Sequence, residues 1–400
     1  MLRRPGLFVY ALIFVDEVVL TALPPLAPRF ADELTLSTVE TGVLLAVSSL
    51  ATLVVAVPSG VLADRVGARI LTLCGGGLLA AGSLGQGLAG DFWSLLLSRA
   101  GFGVASGVLW TAGLAWLSDS SSPGRSARAL AAVIPVAGVG TMIGPVFAGQ
   151  LAERVSLVTP FAAAGAAAVA LTTVLGFSHV ARHGEHEHQP LLATLGAARR
   201  ERLIIAALAI MVLSGLSDGV IYLLAPLQLD ANGLSEGSIG VVLSVGAGII
   251  TLVSANIARS GDRAAGVLVG GGGALLLGAS LVPLVVSAST AAVVASVAVR
   301  APFVALLYTI SFPLGAAGAA RAGLGRGAVI GLLNLGWGTA TVVGPIAGGA
   351  IAETAGERAA YIALVGTCLA AAAWILLAGR ARFASPADPE PARSLPANLD

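Results

Sequence analysis

Five ionisable side chains lie inside long apolar stretches of the sequence, where an unpaired charge is costly. They are Asp16 and Glu17 in the first stretch, Arg99 in the fourth, Asp218 in the seventh and Arg300 in the tenth. Ionisable residues inside membrane-spanning segments are functional candidates, because their burial must be compensated. A carboxyl group in a low-dielectric cavity favours its neutral form, so it can hold a proton until a cation or water arrives. The set therefore indicates the handling of protons or cations inside a membrane.

The composition is that of a polytopic membrane protein. Of the 400 residues, 56% are apolar and 11% are charged, against roughly 25% charged residues in soluble domains. A membrane helix needs about 20 apolar residues, and twelve segments qualify. They are 6–28, 39–62, 69–89, 93–117, 127–151, 158–178, 203–226, 237–258, 265–287, 289–313, 327–350 and 358–379. We therefore predict an all-α fold of twelve transmembrane helices in a lipid bilayer.

The positions of the arginines predict the orientation in the membrane. All 22 basic residues are arginine, and positive residues concentrate in cytoplasmic loops. With the N-terminus inside, seventeen arginines lie on the cytoplasmic side, and only Arg29, Arg154 and Arg358 lie outside. We therefore predict a multi-pass protein of the plasma or inner membrane with both termini in the cytoplasm.

The two halves of the chain repeat each other at an offset of about 200 residues. Residues 144–153 recur as residues 344–353, each beginning with Gly-Pro and ending in Glu, and Arg99 has a counterpart in Arg300. Parallel repeats of this kind place the substrate site near the membrane midplane, between the two halves.

The repeat also predicts the domain organisation. Residues 1–178 and 203–380 are predicted to form two pseudo-symmetric six-helix bundles. The polar stretch 179–202 is predicted to be a cytoplasmic linker, whose second part has the composition of an amphipathic surface helix. The tail 381–400 is rich in Pro and Ala and is predicted to be disordered.

The stretch between the second and third apolar segments carries Gly60, Asp64, Arg65, Gly67 and Arg69. This pattern resembles the signature loop between helices 2 and 3 of the major facilitator superfamily, whose members are twelve-helix secondary transporters that rock between inward- and outward-facing states. We predict a tight loop here. Asp64 is expected to meet the positive N-terminal end of helix 11 and to latch the inner gate. The glycines would allow close packing, and the arginines would pair with acids or lipid headgroups.

The first helix resembles helix 1 of the drug:proton antiporters, and of the vesicular amine transporters in particular. The similarity lies in the run Phe14-Val-Asp16-Glu17 and in Thr21. The resemblance implies that the acid at Asp16 takes part in cation recognition. Because neighbours on a helix point about 100° apart, we expect Asp16 to face the central cavity and Glu17 to face a neighbouring helix. The alternative for Asp16 is a static ion pair with Arg99.

The other charged residues leave two interpretations each. Arg99 resembles the helix-4 arginine of the superfamily that is associated with proton coupling, and its approach would favour the ionised form of Asp16. A static ion pair is the alternative. Asp218 is either a second proton or cation site or a polar residue that joins helices. Arg300 either sets a preference for anions or completes a polar network.

The fifth helix has small residues four apart, Gly140 and Gly144, followed by Pro145. Such spacing permits close helix approach, and proline bends a helix. The run resembles the helix-5 signature associated with antiporters, which favours antiport over ordinary packing. Helix 11 repeats it at Gly344 and Pro345, so both helices are candidate hinges.

Candidate residues of the substrate cavity share a polar or aromatic side chain inside a predicted span. They are Thr21, Trp110, Tyr222, Arg300, Tyr308, Asn334 and Trp337. The aromatic rings could contact a cation through their faces. Asn334 stands where the vesicular amine transporters have another acid, which leaves the amine substrate and the proton stoichiometry open.

Several activities have no support in the sequence. The histidines His179, His183, His186 and His188 all lie in the linker, as a weak metal site or as part of a solvated segment. Cys74 and Cys368 are predicted to be buried, inert thiols. We find no phosphate-binding loop and no nucleophile with a matching base. The prediction is therefore no enzyme, no cofactor, no bound metal and no nucleic-acid partner, with a proton gradient as the energy source.

We predict a monomeric, proton-coupled antiporter that exports small hydrophobic or cationic molecules by alternating access. The alternative is a proton-coupled transporter of one specific metabolite, such as a sugar or an amino acid. A more remote alternative is a transporter-like sensor or scaffold, for which the sequence offers no sizeable soluble domain to pass on a signal.

Overall fold

The computed structural model describes residues 5–121, 126–177, 199–260 and 266–380. Within these ranges, twelve helices are long and apolar enough to cross a membrane. They are α1 Pro5–Leu34, α2 Thr38–Val66, α3 Ala68–Leu88, α4 Phe92–Asp119, α5 Val133–Arg154, α6 Val158–Gly176, α7 Arg202–Ala231, α8 Glu236–Ser260, α9 Val267–Val286, α10 Thr290–Ala322, α11 Arg326–Ala355 and α12 Glu357–Arg380. The predicted all-α fold with twelve spans in two six-helix bundles is confirmed.

Some predictions fall on residues outside these ranges. The four linker histidines, most of the amphipathic segment and the tail 381–400 lie outside the described residues. The membrane orientation and the domain boundaries stay predictions. Cys368 is buried as predicted, but the prediction for Cys74 is wrong, because its side of α3 is exposed.

The first helix continues past its three prolines. The predicted span ends at residue 28, whereas α1 reaches Leu34 with Pro24, Pro25 and Pro28 inside it. A proline has no N–H, so the carbonyl four residues earlier loses its helical partner. The carbonyl of Leu20, four residues before Pro24, accepts a hydrogen bond from Arg99 Nη2 at 3.1 Å instead. A side chain from α4 therefore replaces a bond that the proline removes.

The predicted tight loop from Gly60 to Arg69 is almost entirely helical, so that prediction is wrong. α2 continues to Val66 and α3 begins at Ala68, which leaves Gly67 alone to reverse the chain. Gly67 has a φ of 97°, a conformation that residues with a side chain rarely adopt. One glycine therefore does the work expected of a longer loop.

The signature residues consequently lie on rigid helices. Gly60, Asp64 and Arg65 belong to α2, the last two in its final turns. Arg69 lies in the first turn of α3, and its Nη2 donates to the carbonyl of Gly176 at 2.6 Å, at the end of α6. This arginine therefore ties α3 to α6. The latch between Asp64 and the N-terminus of α11 stays a prediction.

The two halves are in contact at the end where α1 leads into α2. The backbone N–H of Val39 donates to Glu353 Oε2 at 3.0 Å, and that of Gly237 donates to Glu153 Oε2 at 2.9 Å. Each bond joins one half to the other. We call this end the closed end, and the opposite end, which contains Gly67, the open end.

The halves separate toward the open end. Contacts between them extend to Thr251 Oγ1, which donates to the carbonyl of Gly138 at 3.3 Å, and to Leu53, which packs against Gly338. Further along α11, a Cβ atom at Gly331 would meet nothing within 4 Å. A vestibule therefore widens between the halves toward this end.

Two glycines on α4 allow a direct test of the packing between α2 and α4. A Cβ atom at Gly103 would lie 2.8 Å from Ser48 Cα, whereas one at Gly101 would meet open space. We expect Gly103→Ala to destabilise the protein by about 1–3 kcal/mol through overpacking. Gly101→Ala should be neutral or stabilising by up to about 1 kcal/mol, because alanine favours the helix. Thermal melts in detergent measure both, and equal shifts for the two variants would contradict this packing.

Candidate functional site

Asp16 is completely buried between α1 and α4. Its Oδ2 accepts hydrogen bonds from Ser106 Oγ at 3.0 Å and from Trp110 Nε1 at 3.1 Å. Its Oδ1 is also buried but has no partner among the described protein groups. Buried polar atoms in folded proteins are nearly always hydrogen-bonded. Asp16 therefore keeps a bonding capacity that a proton or an approaching donor can satisfy.

The shape of α4 brings two donors to the same carboxylate. A five-residue π-helical segment, Leu109–Gly113, interrupts the helix and carries Trp110. Widened turns of this kind are frequent at functional sites. Ser106 lies one turn earlier on the same face, so both side chains reach Asp16 from α4.

Arg99 is buried beside this site but does not pair with Asp16. Its Nη1 donates to Gln86 Oε1 at 3.2 Å and to the carbonyl of Val19 at 3.4 Å, and its Nη2 donates to the carbonyl of Leu20. These groups hold the guanidinium, and no ion pair joins it to Asp16 within the described part of the chain. The interpretation of Asp16 and Arg99 as a static ion pair is therefore not what this conformation shows.

Glu17 lies at the boundary between the two halves. Its side chain is half-buried, and its Oε2 accepts a hydrogen bond from Thr141 Oγ1 of α5 at 2.9 Å. Across the boundary, its charge acts on the hydroxyl groups of Tyr222 and Tyr308. Glu17 is therefore the acid that faces the other half.

The expected orientations of Asp16 and Glu17 are thus reversed. The partly exposed positions of α1 include Phe14 and Glu17, three residues apart, while Asp16 falls on the buried face. Tertiary packing fixes this rotation, because Gly140 and Gly144 of α5 press against the backbone of α1. A Cβ atom at Gly140 would lie 2.8 Å from the carbonyl of Phe14.

The second half carries a buried ion pair in the corresponding region. Arg300 Nη1 donates to Asp218 Oδ1 at 2.8 Å and to Ser217 Oγ at 3.3 Å. The Arg300 guanidinium also lies 6.0 Å from the ring centroid of Tyr222. The repeated arginines therefore have different partners, since Arg99 binds carbonyls and an amide whereas Arg300 binds a carboxylate. Arg300 completes a polar network in this conformation.

The aromatic candidates form a partly buried group on the second half. The rings of Tyr308 and Trp337 lie 6.4 Å apart, and Phe312 contacts Tyr308 at 5.3 Å. Tyr222 is half-buried nearby on α7, at the Arg300 network. Among the remaining candidates, Trp110 belongs to the Asp16 site, Thr21 is buried at the α1–α5 contact and Asn334 is exposed on α11.

Sequence reasoning missed two residues of the site. Gln86 is the one amide side chain in the third apolar segment, and a polar residue in a span is a usable signal. Ser106 offers no such signal, because serine is common at small-residue packing positions in membrane helices. Its role is visible only once α1 and α4 are placed together.

The fold and the buried charges define a polytopic membrane protein built from two related six-helix halves. A family model described as Major Facilitator Superfamily matches residues 7–328. The chain therefore belongs to the major facilitator superfamily.

Individual relatives and solved structures agree with this membership. An "Uncharacterized MFS-type transporter YcaD" of Escherichia coli O45:K1 (strain S88 / ExPEC) is 28% identical over 255 residues, which is 64% of this chain and 64% of the relative. The match thus spans less than two thirds of that relative's length. Its counterpart in Escherichia coli (strain SMS-3-5 / SECEC) is 28% identical over 258 residues, with the same coverage of both chains.

Two crystal structures of a bacterial homolog to the human lysosomal transporter Spinster have a similar fold. The structure in an inward-facing and occupied conformation has a TM-score of 0.78, and the one in an inward-facing and unoccupied conformation has 0.73. Each is 16% identical and covers 96% of this chain and 98% of the homolog.

The bonding of Arg99 leads to a stability prediction. One ammonium group cannot bind Gln86 and the carbonyls of α1 in the way that a planar guanidinium does. We therefore expect Arg99→Lys to cost about 1.5–3 kcal/mol for each charged hydrogen bond that it loses, and to lower the melting temperature in detergent. Arg358→Lys, a matched change at an exposed arginine, should leave it unchanged. A variant at Arg99 that melts like the wild type would show that the carbonyl bonds contribute nothing.

Proposed function

We propose that this protein is a proton-coupled antiporter that exports small hydrophobic or cationic molecules by alternating access. Its superfamily membership and the naming of its relatives as MFS-type transporters support a transport function. The observation that carries the proposal is the pair of neighbouring acids in α1. Asp16 is buried beside an arginine that does not neutralise it, and Glu17 faces the boundary between the halves.

Glu17 is proposed to contact the cationic group of the substrate. Its carboxylate lies at the mouth of the vestibule opposite Tyr222 and Tyr308, whose aromatic faces attract cations. Trp337 extends this apolar surface next to Tyr308. A negative charge bordered by aromatic rings favours a molecule that combines a positive charge with an apolar body.

Asp16 and Arg99 are proposed to form the proton switch. Asp16 Oδ1 and Arg99 Nε are both buried and both without a partner in this conformation. A movement of α4 against α1 that brings the guanidinium onto Asp16 would satisfy both atoms. The positive charge would favour ionised Asp16 and expel its proton, whereas the arrangement seen here keeps the charge on backbone carbonyls.

Alternating access follows from the open and closed ends. With both termini in the cytoplasm, the open end faces the cytoplasm and gives Glu17 access to molecules inside the cell. Closure of that end would carry Asp64, at the end of rigid α2, toward the N-terminus of α11, where a negative charge is favoured. In this proposal the latch holds the inner gate while the outer end opens.

Proteoliposomes with an imposed pH gradient test the coupling. We expect Asp16→Asn to abolish gradient-driven movement of ethidium, because an amide at this position cannot exchange a proton. We expect Glu17→Gln to weaken the apparent affinity for ethidium by about tenfold, equivalent to 1.4 kcal/mol. Asp32→Asn is the matched control, an exposed aspartate on the same helix. Undiminished gradient-driven transport by Asp16→Asn would remove this residue from the mechanism.

A transporter of one specific metabolite is the second candidate. The observation that favours it is the polar network of Asp218, Arg300 and Ser217, whose carboxylate remains partly exposed and could hydrogen-bond a polar substrate. A growth screen of an expressing strain separates the two candidates. Protection against several unrelated toxic cations supports export of hydrophobic or cationic molecules, whereas an effect confined to one sugar or amino acid supports the alternative.

A further inference from the structure

Two glutamates bind across the closed end in a pseudo-symmetric pair. Glu153, near the end of α5, accepts from the N–H of Gly237, the second residue of α8 in the other half. Glu353, near the end of α11, accepts from the N–H of Val39, the second residue of α2. The first N–H groups of a helix have no partner within the helix. Each glutamate therefore supplies a negative acceptor to a helix of the opposite half.

The sequence repeat generates both bonds. Glu153 and Glu353 are the last residues of the two repeated Gly-Pro segments, 200 positions apart, and their partners Val39 and Gly237 are 198 positions apart. Two bonds that join equivalent positions in opposite directions are a property of the repeated fold. Arg29 strengthens one crossing, because its Nη1 lies 3.4 Å from Glu236 Oε1.

Close backbone contacts accompany the two bonds in the same symmetric arrangement. A Cβ atom at Gly42 would collide with the carbonyl of Pro345, and one at Gly240 would collide with the carbonyl of Pro145. The glycines bring α2 against α11 and α8 against α5 at the closed end. The crossings therefore hold the glutamates at bonding distance from the helix ends.

The same relation holds one turn nearer the membrane surface. A Cβ atom at Gly349 would lie 2.9 Å from the carbonyl of Thr38, and one at Gly149 would collide with the carbonyl of Glu236. Four tight contacts and two charged bonds thus lie within the region that must separate if the closed end is to open.

We propose that Glu153 and Glu353 form the outer gate latch, and that both bonds must break when the closed end opens. This inference rests on the proposed alternating access. Negative charge at a helix N-terminus is stabilising because the helix dipole and the free N–H groups favour it. The latch uses the same physical interaction that is predicted for Asp64 at the opposite end, so each end would be locked by carboxylates on helix N-termini.

Cysteine labelling measures opening of the closed end directly. Thr41 of α2 is buried there, and Thr41→Cys in a background of Cys74→Ser and Cys368→Ala provides one reporter thiol. We expect Glu153→Gln and Glu353→Gln each to raise the maleimide labelling rate about two- to fivefold, the size of a helix-end charge effect. The double variant should show about the product of the two effects, since the sites are separate. Purified protein in detergent makes the result independent of membrane orientation.

Glu40→Gln is the matched control. Glu40 lies on the same turn of α2 and its carboxylate binds only within its own half, where it accepts from the N–H of Ser37. This variant should leave the labelling rate within twofold of the parent. If a glutamine variant is poorly folded, Glu153→Asp or Glu353→Asp keeps the charge but shortens its reach, and must raise the rate in the same direction.

An unchanged labelling rate in the double variant, or an equal rise in Glu40→Gln, would overturn the latch. Labelling needs neither substrate nor pH gradient, so it separates this inference from the transport function. A protein that shows the labelling response but never moves ethidium would refute the proposed function and keep the latch. A protein that transports but lacks the response would refute the latch alone.

Discussion

The site depends on how the structure compensates one buried positive charge. The guanidinium of Arg99 is 1% exposed, and a charge at that depth must find several acceptors. It finds them in Gln86 and in two carbonyls of α1, one of which Pro24 has left without its helical partner. Because those acceptors are uncharged, Asp16 is left close to a positive charge that it does not bind. The proline, the arginine and the acid therefore form one unit.

The two halves show how one fold can hold different chemistry at equivalent places. In both halves, the Gly-Pro helix packs against the first helix of its bundle through glycines, which is a consequence of the repeat. The first half combines this frame with an unpaired acid, and the second combines it with the closed ion pair of Asp218 and Arg300. Exchange chemistry is therefore assigned to the first half, while the second half supplies aromatic surface and a fixed network. The closed end, in contrast, uses both halves alike.

Sequence patterns predicted the parts of this structure that depend on hydropathy and repetition. Twelve apolar segments gave twelve helices, and the recurring Gly-Pro segments occupy equivalent places in α5 and α11. The patterns could not predict the rotation of α1, because contacts with Gly140 and Gly144 decide whether Asp16 or Glu17 faces the boundary. They also could not predict that Gly67 alone would form a turn, since that depends on its backbone conformation. The roles of Ser106, Glu153 and Glu353 required the packing of distant helices.

The central claim is that Asp16 exchanges a proton because Arg99 does not neutralise it. Infrared difference spectroscopy of the purified protein, recorded as the pH is raised, tests this claim through the carbonyl stretch of a protonated carboxylic acid. The account predicts a protonated-carboxyl band in the wild type that disappears as the pH rises and is missing from Asp16→Asn. Identical spectra for the two proteins at every pH, which would mean that Asp16 stays ionised throughout, would contradict it.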